Sequence, residues 1–296
     1  MLMSLERIQE KWTRFSVRKR DQTRNLEHFH ESINLVLAVL LGVLVSFGII
    51  GPAWADLRAD KPTILITGSN RGLGLEFARQ YAAKGWNVIA TCRRPEEAED
   101  LKALALEQSQ VVIEKVDVTS DADVAALALK YRDQPVDILL NNAGIYGDVK
   151  KQKMGALEFD ELEKVFAVNT FGPLRMSQAF LENVAVSEQK KIISLGGGIG
   201  TPRIGPLVPD DYFFKMSKAA HLMAMATLQA KVRKRGIIVS MISPGMVATQ
   251  HLVDSGYTGK SISAAESAAL VIEQIGRLDD SLGGKLINYN GKITPY

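Results

Sequence analysis

The sequence predicts a doubly wound α/β domain, a parallel sheet with helices on both faces, and three observations carry that reading. Apolar, β-rich runs alternate with helical stretches along the chain after residue 62. The runs are almost continuously apolar, as in "TILIT" at 63–67, which suits strands covered on both faces. The first run passes through a glycine turn straight into a helical pattern. No internal repeat is present.

Strands are predicted at 63–67, 87–91, 111–116, 138–141, 191–195, 237–242 and 285–288. Helical periodicity fills the intervals, as in "LGLEFARQYAAKG" and "DELEKVFAVNTFGPLRMSQAFLENV", and long helices are expected around 158–184 and 210–235. The 296 residues are 46% hydrophobic and 23% charged, which fits one globular domain plus an appendage. A net charge of +3 gives no concentrated basic face, so no nucleic-acid partner is expected. The single cysteine, Cys92, excludes an intramolecular disulfide. His28, His30, His221 and His251 have no accompanying Cys or carboxylate cluster, so no metal site is expected.

The appendage has two parts. Residues 1–34 form a polar leader with seven Lys/Arg against five Asp/Glu, and residues 35–55 carry no charge at all. An apolar run of roughly 20 residues can span a bilayer as a helix. The run also ends in Ala53-Trp54-Ala55, a small-x-small pattern of the kind signal peptidases cut. Two outcomes stand open, an uncleaved membrane anchor, which the long leader favours, or export after cleavage near Ala55. Arg18-Lys19-Arg20 before the run places the main domain on the non-cytoplasmic side. Residues 56–61 read as a polar linker, and the folded domain is expected over 62–296.

The glycine turn is "TGSNRGLG", with Gly68, Gly72 and Gly74 between a strand and a helix. That context is the dinucleotide-binding, Rossmann-type arrangement: bare backbone approaches a pyrophosphate, and the helix N-terminus offers free N–H groups. The second strand ends "ATCRRP", with Arg93 and Arg94 where an NAD enzyme usually carries an acid. Arg71 adds a cation within the turn. Guanidinium groups hold a 2′-phosphate, so NADP(H) is expected over NAD(H).

These residues resemble the short-chain dehydrogenase/reductase family over about 62–296. "TGSNRGLG" resembles its glycine motif, and Asp117 in "DVT" its adenine-contacting acid. "NNAG", with Asn142, follows the fourth strand, and Asn169 in "AVNTFGP" matches the asparagine that supports a proton-relay water. Lys218 in "MSKAA" matches the active-site lysine, and "SPGMVAT", with Pro244, Gly245 and Thr249, the segment cradling the nicotinamide. The closing "GGKLINYNGKITPY" resembles the C-factor or sniffer-like carbonyl reductase branch. The resemblance implies hydride transfer between the nicotinamide and a carbonyl or alcohol substrate, and a homodimer through the two long helices.

It also implies a tyrosine four residues before the lysine as acid, and a serine near the end of the fifth strand. This chain has Phe214 at the first position and Gly196-Gly197 at the second. Tyr212 is a substitute acid only if its segment folds inward, because on a continuous helix it is turned about 200° from residue 214. Ser194 and Thr201 are substitutes for the serine. The segment 246–263, with His251 and Tyr257, is expected to cover the substrate pocket. Two functions remain open: an NADP(H)-dependent oxidoreductase with an altered proton donor, or a catalytically inactive dinucleotide-binding protein serving as sensor or scaffold at a membrane.

Overall fold

The structure, a computed structural model, describes residues 57–207 and 209–296, apart from the side chain of His251. The expectations for the 1–34 leader, for the 35–55 anchor or signal with its hydrophobic helix, and for cleavage near Ala55 lie outside the described residues. Among the described residues no helix is long and apolar enough to cross a membrane.

The strands are β1 Thr63–Thr67, β2 Asn87–Cys92, β3 Val111–Lys115, β4 Ile138–Asn141, β5 Lys191–Leu195, β6 Ile238–Ser243, β7 Leu286–Asn288 and β8 Ile293–Thr294. They form one sheet in the order β3-β2-β1-β4-β5-β6-β7-β8. Pairing is parallel from β3 through β7. The two-residue β8, which the alternation of apolar runs does not predict, pairs antiparallel with β7 at the edge.

Period-two alternation divides the strand residues between two cores. Ile64, Ile66, Val88, Ile138, Leu140 and Ile193 enter one cluster with Phe77, Leu101 and Val271. Leu65, Ile89, Leu139, Ile192 and Val239 enter the other with Leu127, Met176 and Met225. The first face is covered by α1 (Gly72–Ala83), α2 (Glu99–Glu107) and α9 (Ala264–Arg277). The second is covered by α3 (Asp121–Lys130), α5 (Gly172–Ala179) and α7 (Tyr212–Val232). Ile64, Leu65 and Ile66 are fully buried, and each such side chain contributes about 1.5–3 kcal/mol. Helix starts follow local chemistry: Ser120 accepts from the Asp123 amide ahead of α3, and Ser263 from the Glu266 amide ahead of α9.

The long helix expected around 158–184 is interrupted. It runs as α4 (Phe159–Phe166), a π-helical turn at Ala167–Phe171, α5, and α6 (Leu181–Ala185). Pro173 explains the break. It has no N–H to give the Asn169 carbonyl, its acceptor four residues earlier, and the chain widens by one residue there. The remaining helix, α8 (Gln250–Asp254), lies in the segment expected to cover the pocket.

β1 sits between β2 and β4, so successive connections leave it in opposite directions. The loops after β1 and β4 therefore diverge at the carboxyl edge of the sheet and open the crevice where such sheets bind ligands.

Residues 57–61 of the expected polar linker pack onto the domain. Asn87, fully buried, accepts from the Arg58 amide at 2.9 Å and donates to the Arg58 and Lys61 carbonyls at 2.8 and 3.1 Å. Leu57 packs against the second core. Asn87→Ala leaves these buried groups unpaired and should lower the unfolding free energy of the full chain by about 1–3 kcal/mol. Urea unfolding measures this, and a loss under about 0.5 kcal/mol would show that Asn87 is not what holds 58–61.

Candidate active site

β1 delivers Thr67 to the crevice, and its hydroxyl accepts the amides of Asn142 and Ala143, both at 3.0 Å. Asn142 Nδ2 in turn donates to the carbonyls of Thr67 and Gly68 at 2.8 and 3.0 Å. The loops after β1 and β4 are thereby locked together. Gly68 has φ +70°, a left-handed conformation that side chains disfavour. At Gly74 a methyl group would lie 2.1 Å from the Gly68 carbonyl oxygen and 2.6 Å from Asn142 Nδ2. Only glycine allows α1 to start against the turn. No side chain caps α1 and no acid lies in its first turn, so its opening amides can serve an anion. Bare backbone, free amides and absent acids fit a dinucleotide pyrophosphate.

Arg71 and Arg93 are exposed, and their guanidinium groups make no hydrogen bond or ion pair among the described residues. Arg94 is committed elsewhere, its guanidinium reaching both Glu97 oxygens at 3.1 and 3.0 Å. Asp117 uses one carboxylate oxygen to fix the Thr119 turn, accepting from its amide and hydroxyl at 2.8 and 2.7 Å. At the crevice's other wall the Pro244 carbonyl accepts from Ser267, and Gly245 has φ +83° with Tyr289 packed against it. A methyl group at Gly72 would meet Thr249 Cγ2 at 3.3 Å, so the segment after β6 closes onto the glycine turn. Tyr257, within that segment, donates to the Lys260 carbonyl.

α7 supplies the second half of the site. Lys218 Nζ lies 3.3 Å from the Leu195 carbonyl and 5.7 Å from the centroid of the Phe214 ring. A methyl group at Gly144 would stand 3.9 Å from that ammonium and 3.4 Å from Asn169 Oδ1, so Gly144, Asn169 and Lys218 converge. Asn169 is buried in the π-helical turn. It accepts the Ile145 amide at 2.9 Å and donates to the Ile145 carbonyl and Ser217 hydroxyl at 2.8 and 3.1 Å. Ser217 passes its own proton to the Phe214 carbonyl at 2.7 Å. These bonds fix the loop after β4 to the first two turns of α7.

Position 214 holds a buried phenylalanine, 6% exposed, whereas Tyr212 opens α7 at 37% exposed, with no hydrogen bond among the described residues. At the fifth-strand position, a methyl group on Gly197 would meet only Ile199, at 3.5 Å, whereas one on Gly196 would press on Leu286 and Met241 at 3.2 Å. Space for a side chain exists at 197 and nothing fills it. Ser194 does not substitute, because it is fully buried on β5 and held by Asn141 Nδ2. Thr201 spends its hydroxyl on the Gly198 carbonyl at 2.6 Å.

Three residues absent from the sequence-derived set stand here. Tyr146 stacks on Phe214 with ring centroids 4.1 Å apart and 22° between planes. Its hydroxyl donates to Asp211 Oδ2 at 2.7 Å. Gln152, fully buried, accepts the Phe214 amide at 2.7 Å and donates to the Tyr146 carbonyl at 2.8 Å. Asp210 and Asp211 have φ +64° and +52°, which costs about 1–2 kcal/mol each. That strain sits directly before the helix that carries the site. A phenol two residues past "NNAG" was the available sequence signal, but its partner lies 65 residues away.

Burial sets the electrostatics. Lys218 is half-buried, and desolvation of its ammonium pushes its pKa down to about 8. His221, one turn further, is pushed down to about 3 by burial and by Lys218, and neither ring nitrogen has a protein partner among the described residues. Burial, then the Asp211 carboxylate, holds the Tyr146 phenol above its usual range.

The Lys218 shift has a signature in stability. Between about pH 8 and 10.5 the unfolded chain still binds a proton that the folded chain has released, so stability gains with rising pH in that window. Lys218→Met removes the gain. The difference in unfolding free energy between unmodified and variant protein should move in favour of the unmodified chain from pH 7.5 to 9.5, and a difference independent of pH would contradict the desolvated ammonium.

The short chain dehydrogenase family profile matches residues 62–257. A 1-hydroxy-2-glutathionyl-2-methyl-3-butene dehydrogenase of Rhodococcus sp. (strain AD45) is 30% identical over 240 residues, 79% of this chain and 99% of that protein. An NADPH-bound carbonyl reductase from chicken fatty liver superposes with a TM-score of 0.73 at 26% identity, covering 80% of this chain and 99% of its own. The carbonyl reductase Sniffer of D. melanogaster does so at 0.71 and 26% identity, covering 80% and 100%. By its glycine cradle, its sheet order and these matches, the chain belongs to the short-chain dehydrogenase/reductase family.

Proposed function

We propose that this chain is an NADP(H)-dependent oxidoreductase acting between a carbonyl and an alcohol, with its proton donor displaced from position 214. The observation that carries the reading is the cradle, where Gly68, Gly72 and Gly74 leave bare backbone, together with the guanidinium groups of Arg71 and Arg93, which have no partner among the described residues. The NADPH in the chicken reductase supports the choice of cofactor.

The amides of the glycine turn and of the α1 N-terminus would hold the pyrophosphate, and Arg71 and Arg93 the 2′-phosphate. Asp117 and Asn142 would border the adenosine side, and Pro244, Gly245 and Thr249 the nicotinamide side. When bound, the nicotinamide supplies or accepts the hydride. Lys218 brings an ammonium of lowered basicity to the ribose and substrate, and Asn169 fixes the loop over it. Phe214 has no proton to give, so general-acid assistance must come from another group or be lost.

A second reading is a dinucleotide-binding protein without turnover, favoured by the joint presence of Phe214 and the bare Gly197. We further propose that 35–55 tethers the domain to a membrane, with the domain on the non-cytoplasmic side. A homodimer is supported by the exposed Phe171, Leu174, Met216 and Met223, which line the two helix regions the family uses.

Turnover decides between the readings. With a panel of aldehydes, ketones and quinones, unmodified full chain is expected to consume NADPH within about tenfold of the Phe214→Tyr variant. Turnover confined to the variant, with NADPH bound by both, would remove the enzyme reading, since loss of an acid costs about 10²–10⁴ in rate.

A further inference from the structure

The site carries a second phenol beside the place where the first is missing. Tyr146 and Phe214 form one aromatic stack, and Gln152 bonds both backbones, the Tyr146 carbonyl and the Phe214 amide. Asn169 holds the preceding residue, Ile145, through both its amide and its carbonyl. The phenol is thus fixed on the loop after β4, two residues past Gly144, which faces Lys218 and Asn169. Its hydroxyl meets Asp211, a buried carboxyl with no ion pair among the described residues. The left-handed backbone of Asp210 and Asp211 sets how that carboxyl leaves the chain. Held strain next to a buried acid and a phenol marks a functional position more than a packing one.

We propose that Tyr146 is the catalytic acid of this chain, and that Asp211 is the positioning residue that holds it. This rests on the oxidoreductase reading above. In the reducing direction, hydride and its electron pair reach the carbonyl carbon, and the carbonyl π pair moves onto oxygen. That oxygen takes the phenolic proton of Tyr146. The phenolate left behind is reprotonated from solvent while its oxygen stays beside Asp211. The sum is one carbonyl, one NADPH and one proton giving one alcohol and one NADP⁺. The other charges around the pair are Asp210 beside it, Lys215 one turn along α7 with its ammonium on the Asp210 carbonyl, Asp148 on the Tyr146 loop, Glu161 bonded to the Asp148 amide, and Lys218 near Phe214.

The test uses full chain, with NADPH binding followed by its fluorescence before any turnover is read. Tyr146→Phe keeps the stack and should lower kcat by about 10²-fold or more at unchanged NADPH affinity. Asp211→Asn should lower kcat less than Tyr146→Phe does. Without cofactor, the ¹³Cζ resonance of Tyr146 should titrate above the ordinary phenol range and move down in Asp211→Asn. A Tyr146→Phe variant within about threefold of the unmodified kcat would overturn the proposal and leave the oxidoreductase reading standing, as would a Tyr146 ¹³Cζ titration unchanged by Asp211→Asn. Bound NADPH with no turnover until Phe214→Tyr is introduced would also overturn it. Failure to bind NADPH would instead remove the underlying cofactor reading.

Discussion

The approach of α1 to the end of β1 is the constraint on which the rest of the site depends. Gly74 sits so close to the Gly68 carbonyl that a methyl group could not be inserted. Asn142 closes the same carbonyl from the β4 side. One backbone oxygen therefore fixes the first helix, the glycine turn and the loop after β4 relative to each other. Because that loop continues into Ile145 and Tyr146, the clamp at the glycine turn also sets the geometry around Tyr146 and Phe214.

From there order passes through hydrogen bonds more than through apolar packing. Asn169 ties Ile145 to the π-helical turn and to Ser217, and Gln152 ties Tyr146 to Phe214. These amides are buried, and leaving either side unpaired would cost more than a surface bond is worth. The frame around position 214 is thus built to hold a side chain in place, although that side chain carries no proton. Lys218 lies beside this frame in an environment that weakens its charge. Such a lysine responds strongly to any new charge placed nearby, which is the setting in which proton-transfer groups are tuned.

Much of this architecture was legible in the chain. The alternation of apolar runs identified β1 to β7 within a residue or so at each end, because buried parallel strands must be apolar on both faces. The glycines announced the crevice for a steric reason that any sequence shows. Other features depended on contacts distant in sequence. The helix around 158–184 looked continuous because π-helical widening at Asn169 leaves the apolar period almost unchanged, and Pro173 was the one local clue. The lone pair of strand residues at Ile293–Thr294 is too short for a pattern. Tyr146 stayed hidden because its meaning comes from Asp211 and Phe214, which α7 brings to it across the sheet edge. The turn of Tyr212 away from the buried Phe214 followed from helix geometry alone.

The most direct measurement is the affinity of full-length protein for NADPH and NADH, repeated with Arg93→Ala. If the crevice is built for a 2′-phosphate, NADPH binds at least about tenfold tighter than NADH, and the substitution closes most of that gap, since a charge-assisted pair is worth about 1.5–3 kcal/mol. Equal affinity for the two dinucleotides would contradict the assignment of Arg71 and Arg93. Absence of binding to both would contradict the functional account as a whole.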